Sequence, residues 1–175
     1  MTTCANSLNP KVACVTLGGG KSRRFGSDKA NALFRGRPLL DHVIQRLEAQ
    51  PSGPMAINVP QDGQFSTGKY PKIEDRLEGD IGPLAGLHAA LGWAKDNGFD
   101  QVITTPIDTP LLPDTFVRAL VSSGPPSVSR GEGQVNAIHG CCQPNANPSP
   151  AAFGVGAFIQ PEAGAIWRGP RFSSI

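Results

Sequence analysis

A short apolar run that ends in consecutive glycines constrains this chain more than any other feature. Lys11 to Leu17 is apolar apart from its first residue and Thr16, and Gly18-Gly19-Gly20 follows at once. A run of that length, closed by glycine, predicts a strand buried on both faces, as central parallel strands are. The glycines then force a tight turn, with a short helical stretch expected after it. Without a Cβ, their backbone N–H groups can approach phosphate oxygens. Arg23, Arg24 and Lys29 follow closely and supply the cations that a polyphosphate requires. Two commoner phosphate motifs are excluded. A P-loop needs glycine where Val15 stands, and the dinucleotide fingerprint needs glycine where Arg23 stands. Read alone, the loop also fits an ordinary glycine-rich turn with a solvated basic face.

The pattern repeats downstream. Pro38 to Gln50 predicts an amphipathic helix with Leu40, Val43, Ile44 and Leu47 on one face and Pro38 in its first turn. Met55 to Val59 predicts a second strand. Gly82-Pro83-Leu84 opens a helix whose inner face is expected to carry Leu84, Leu87 and Leu91, with Gly98 near its end. His88 is expected at the edge of its core. Gln101 to Thr105 predicts a third strand, Pro106 to Pro113 a loop, and Asp114 the cap of a helix through Leu120. This alternation predicts an α/β fold with a mostly parallel sheet and helices on its faces. Such sheets bind ligands at the carboxyl ends of their strands.

Composition removes several alternatives. Net charge is only +2 and no basic stripe occurs, which argues against a nucleic-acid partner. No apolar stretch reaches the roughly 20 residues of a membrane span. The N-terminus lacks a basic segment backed by an apolar one, so no signal peptide is read. The four cysteines form no C-x-x-C, and reduced thiols in a cytoplasm are expected.

Leu17 to Lys29 resembles the L-x-G-G-x-S-x-R-M-G-x-D-K signature of nucleotidyltransferases that activate GTP or CTP. Gly18 stands for a usual alanine and Phe25 for a usual methionine. Lys72-Ile73-Glu74-Asp75, then Gly82-Pro83-Leu84-Ala85-Gly86, is similar to the I-x-D…G-P-L-A-G pattern of molybdenum cofactor guanylyltransferases. Thr105-Pro106-Ile107-Asp108-Thr109-Pro110-Leu111-Leu112-Pro113 resembles their P-x-D-T-P-x-x-P loop. The likeness runs from about Val12 to His139.

That resemblance implies a Rossmann-like three-layer nucleotidyltransferase fold and transfer of GMP from GTP to molybdenum-molybdopterin with Mg²⁺. It implies that Leu17, Gly18 and Gly19 hold the nucleotide, that Arg23 and Lys29 meet the phosphates, and that Asn58 and Asp75 contact the nucleotide. Asp108 is implied as the Mg²⁺ ligand and, with Arg23 and Lys29, as part of the catalytic set. Chemistry agrees: a hard cation takes carboxylate oxygens, and a carboxylate can accept both N1–H and N2–H₂ of guanine. Each residue also has a plainer reading: Asp108 as turn or cap, Asn58 as an Asx turn, Asp75 as an exposed acid. His139 is read as a hairpin residue before a pterin contact. Molybdoenzymes or their chaperones are further partners that the resemblance brings. A CTP-using relative, or a non-catalytic, decayed nucleotide-binding copy, is the alternative.

From about Cys141 the texture changes. Gln143 to Pro150 is polar and proline-rich, and 151–175 shows no clear period. The expected division is a nucleotide-binding domain at 1–140 and an atypical tail at 141–175, frame-shifted or without fixed structure, leaving the C-terminal part of the fold incomplete. Moving the frame back one base at Gly140 turns Gly-Cys-Cys-Gln into (Leu, Met or Val)-Leu-(Ser or Pro). The resembling family usually has a hydrophobic pair and proline there, and resequencing the locus tests this.

Overall fold

The computed structural model describes residues 10–18, 29–60, 63, 65–77, 83–125, 127–131, 134–144, 157–159 and 166–167. The apolar run forms β1 (Val12–Leu17), all but its first residue buried. A 3-10 turn (Lys29–Asn31) and a hairpin of β2 (Leu33–Phe34) and β3 (Arg37–Pro38) lead into α1 (Leu39–Glu48). There follow β4 (Met55–Val59), β5 (Lys72–Glu74), α2 (Pro83–Asp96), β6 (Gln101–Pro106), α3 (Phe116–Ser123), β7 (Ser127–Gly131) and β8 (Gln134–Cys142). Two short strands, β9 (Ala157–Ile159) and β10 (Ile166–Trp167), complete the order.

The large sheet runs β10-β9-β7-β8-β6-β1-β4-β5. Strands β6, β1, β4 and β5 are mutually parallel. Strand β8 joins β6 antiparallel and β7 joins β8 antiparallel, so the sheet is mixed. Register places Cys14, Ile103 and Cys141 side by side. Because side chains alternate across a strand, all three face one way. They pack with Val43 and Leu47 of α1 and Val117 and Leu120 of α3. Val15, Leu17 and Val102 face the other way and pack on Leu87, Ala89, Ala90 and Ala94 of α2. The result is three layers, α1 and α3 over the sheet over α2. Among the described residues no helix is long and apolar enough to cross a membrane.

Several local expectations change. Pro38 closes β3 with φ −54° and ψ 141° instead of entering α1. Leu84 is 52 % exposed and His88 is exposed, because the inner face of α2 is built largely of alanines. Asp114 does not cap α3. The residue before that helix is Thr115, with no side-chain cap, and Asp114 instead pairs with Arg46. The missing cap comes from α1's end of the chain: Gln50 Oε1 accepts the Val117 N–H at 2.8 Å. Strand β8 continues through Cys142, across the expected division between 140 and 141.

Candidate functional site

Four parallel strands end along one edge, and the residues at those ends make the site. Leu17 closes β1, and its register partners are Asn58 on β4 and Pro106 on β6. Asp75 follows β5 directly, and Asp108 lies two residues beyond β6. From β6 through β1 and β4 to β5 is three strand steps of about 4.8 Å, or about 14 Å. That span is on the order of a nucleoside triphosphate's length.

At the β6 end, Lys29 Nζ donates to Asp108 Oδ2 at 2.7 Å. Asp108 is 41 % exposed, so the carboxylate faces water and remains open to a ligand. Its loop is rigid for local reasons. The Ile107 N–H donates to Leu17 O at 3.2 Å, and Thr109 Oγ1 donates to Pro106 O at 2.8 Å. Thr105 Oγ1 lies 3.2 Å from Thr109 Oγ1. Two threonines and two prolines therefore hold the carboxylate at the strand exit. Among the described residues no group of three acidic, His or Cys side chains forms a metal cage. A single exposed carboxylate fits a cation that completes its shell with phosphate oxygens and water, the habit of Mg²⁺.

At the β5 end, Asn58 Nδ2 donates to Asp75 Oδ1 at 2.8 Å and to Ile73 O at 3.2 Å. Asn58 is fully buried and Asp75 half-buried, so the amide is a support and the carboxylate is the group presented. An Asx turn does not account for Asn58, which sits inside β4. Between the two ends, the Gly18 N–H donates to Asn58 O at 2.9 Å. A Cβ on Gly18 would stand 2.5 Å from both Asn58 O and Phe65 Cζ. Glycine at this position is thus required by β4 and Phe65, which gives a physical reason for the departure from alanine. Gly19 and Arg23 lie outside the described residues, as does Gly82, and the side chain of His139 is likewise not described.

Lys29, Asp108, Leu17, Gly18, Asn58 and Asp75 therefore share one edge. Two contributors were not singled out from sequence. Thr109 sits inside the proline loop and reads there as part of a pattern, with no sign of its hydrogen bond. Gly86 leaves space for Asn58, since a Cβ there would stand 2.4 Å from Asn58 Oδ1, and no spacing rule connects the two residues, 28 positions apart.

The family model for the MobA-like NTP transferase domain matches residues 14–144. The molybdenum cofactor guanylyltransferase of Rhizobium leguminosarum bv. trifolii is 39 % identical over 114 residues, 65 % of this chain and 52 % of that protein. The molybdenum cofactor guanylyltransferase of Yersinia pestis is 36 % identical over 115 residues, 65 % of this chain and 57 % of its own length. The chain spans about half the length of the curated relatives it matches. Among solved structures, molybdopterin-guanine dinucleotide biosynthesis protein A from Archaeoglobus fulgidus superposes with TM-score 0.57 at 22 % identity. That match covers 76 % of this chain and 67 % of the other, and it bears on the fold.

Proposed function

We infer that this chain, which belongs to the family of MobA-like NTP transferase domains, transfers GMP from GTP to molybdenum-molybdopterin. In the reaction a phosphate oxygen of the acceptor forms a bond to the α-phosphorus of GTP. The bond from that phosphorus to the β-phosphate bridging oxygen breaks, and pyrophosphate leaves. The products are the guanine dinucleotide form of the cofactor and pyrophosphate.

The observation that carries this reading is the division of labour along the carboxyl edge. A cation and a carboxylate, Lys29 and Asp108, stand at the β6 exit. A supported carboxylate, Asp75, stands at the β5 exit. Phosphates belong at the first, base at the second. Lys29 exchanges its carboxylate partner for phosphate oxygens, with a second cation from the Arg23-Arg24 pair, of which Arg24 stands at the signature's arginine. Asp108 holds a divalent cation, Mg²⁺ by the hardness of its donors. When bound, that ion neutralises charge gathering on the phosphates. The backbone of Leu17 and Gly18, between the two ends, would lie against the nucleotide, with Gly19 assigned to it by the signature alone. Asp75 accepts from N1–H and N2–H₂ of guanine, and a bidentate pair of this kind discriminates between bases by about 1–3 kcal/mol. Cytosine cannot present those two donors. The protein needs no nucleophile of its own, since positioning and charge neutralisation are what phosphoryl-type transfer asks of it. The proposed compartment is the cytoplasm, where thiols stay reduced; molybdoenzymes or their chaperones would receive the product.

The test is product formation from molybdenum-molybdopterin with Mg-GTP or Mg-CTP, followed by chromatography of the pterin. A guanine dinucleotide product with GTP and at least tenfold less product with CTP, about the discrimination of one good base contact, is expected. A cytosine dinucleotide at equal rate overturns the guanine reading.

A further inference from the structure

A groove of about 340 Å³ lies between the β2–β3 hairpin, α1 and the loop that follows Asp108, with Phe34, Arg35, Arg37, Arg46, Pro110 and Leu111 in its walls. None of the residues assigned above to the nucleotide lines it. Its charge is one-sided. Three guanidiniums stand against one carboxylate, Asp114, and Arg46 takes that carboxylate. Arg37 donates to the neutral Gln45 side chain at 3.0 Å, and the Arg35 guanidinium lies 5.3 Å from the centre of the Phe34 ring. Among the described residues neither Arg35 nor Arg37 has a carboxylate partner. A guanidinium carries five N–H donors, so both keep donors for a ligand.

Two further features single out this groove. Arg35 stands at φ 50°, a conformation that Asn or Gly takes at lower cost. Its side chain is exposed, so packing gives no reason for a long cation at the hairpin tip. Backbone strain kept at an exposed position points to a use outside the fold. Leu111 is 65 % exposed, and it shares the groove with Phe34, Ala49 and Pro110. Its loop is anchored from within by Thr109, so the apolar side chain is presented on a fixed support.

We propose that this groove docks an acidic segment of a partner protein. One apolar side chain of that segment packs against Phe34, Pro110 and Leu111, and flanking carboxylates pair with Arg35 and Arg37. Arginine forks match carboxylates two bonds at a time, and an apolar anchor ringed by charge is the usual build of a docking site. A compact anion fits less well. The three guanidiniums are tethered to three different neighbours, a ring, an amide and a carboxylate, and so do not gather on one point. Several carboxylates along a chain match that spread, and they bring the apolar group that the lining asks for. Leu111 lies three residues beyond Asp108, so the partner docks beside the nucleotide edge without occupying it.

The experiment follows the fluorescence anisotropy of a labelled peptide, Glu-Asp-Glu-Leu-Phe-Asp-Glu, titrated with the full chain, first alone and then with excess Mg-GTP. Saturable binding is expected in both, weakening as salt rises because exposed charges are screened. Arg35→Asn combined with Arg37→Gln weakens it about tenfold, about threefold for each exposed pair. Leu111→Ser weakens it about tenfold, as loss of an anchor does. A peptide with serine in place of its Leu and Phe loses as much. All three side chains are exposed, so no variant lowers the melting temperature. Absence of saturable binding, or binding that both variants leave intact, overturns the proposal. Loss of binding on adding Mg-GTP overturns it too, by placing the peptide on the nucleotide edge. Displacement by inorganic pyrophosphate with Mg-GTP in excess does the same, since the groove would then be a site for a compact anion.

Discussion

Gln50 shows how one buried side chain can join three elements. It is 7 % exposed. Its Nε2 donates to Arg46 O and Pro113 O, each at 3.0 Å, and its Oε1 accepts the Val117 N–H at the start of α3. Helix starts leave N–H groups unpaired, and a capping acceptor is worth about 1 kcal/mol. Removing it also strands buried backbone partners, at about 1–3 kcal/mol. Gln50→Ala should therefore lower unfolding free energy in urea by about 2 kcal/mol. A loss below about 0.5 kcal/mol would mean that α3 is not held from here. The Lys29–Asp108 pair behaves oppositely. Both partners are partly exposed, and such pairs contribute about 0–1 kcal/mol. Its loss should be visible in activity and barely in stability. From sequence, the place of Asp108 at a strand exit was legible because prolines bracket it just after an apolar run. Gln50 was not, since its acceptor role depends on Val117, 67 positions later.

At the scale of elements, β1, β4 and β6 were legible because central parallel strands are apolar on both faces. Strand β5 has only three residues, Lys72-Ile73-Glu74, of which Ile73 alone is buried, so no period can emerge. Strands β7 and β8 are defined by pairing with each other and with β6, information that no local window contains. In α2 two of the three expected leucines mark the packed face, Leu87 buried and Leu91 packed beside it, while alanines fill the rest of that face and Leu84 turns outward. Leu84→Ala should consequently change stability by no more than about 0.5 kcal/mol. Leu87→Ala, at a position 2 % exposed, should cost about 2–5 kcal/mol. Equal losses in denaturant melts would put α2 in a different rotation. The β2–β3 hairpin offers a gain. Arg35 (φ 50°) and Gly36 (φ 79°) form its two-residue turn, and Asn tolerates the left-handed first position better than Arg does. Arg35→Asn should stabilise the chain by about 0.5–1 kcal/mol in the same assay; no change would mean that the turn carries no strain.

At the scale of the whole molecule, three thiols among the described residues, Cys14, Cys141 and Cys142, sit in or beside the layered core. Burial pushes Cys14 up strongly, with Cys141 nearby adding to it; it lifts Cys141 to about 12, helped by Cys142, and Cys142 to about 11. The unfolded chain ionises its thiols near their ordinary value of about 8.5. Between those limits the folded state binds more protons than the unfolded one, so stability is complete below about pH 8.5 and is lost as pH rises toward the folded values. Wild type should lose melting temperature more steeply between about pH 8.5 and 11 than Cys141→Ala does. Parallel slopes would show that this thiol is ionised equally in both states. The central claim concerns the carboxyl edge of the sheet, where Asp108 and Asp75 follow strands three steps apart. Its most direct test is the rate of pyrophosphate release from Mg-GTP, with molybdenum-molybdopterin present, in wild type and Asp108→Asn. The account predicts release by wild type and a fall of about a hundredfold or more in the variant, at an unchanged melting temperature. A variant that releases pyrophosphate at the wild-type rate would contradict it.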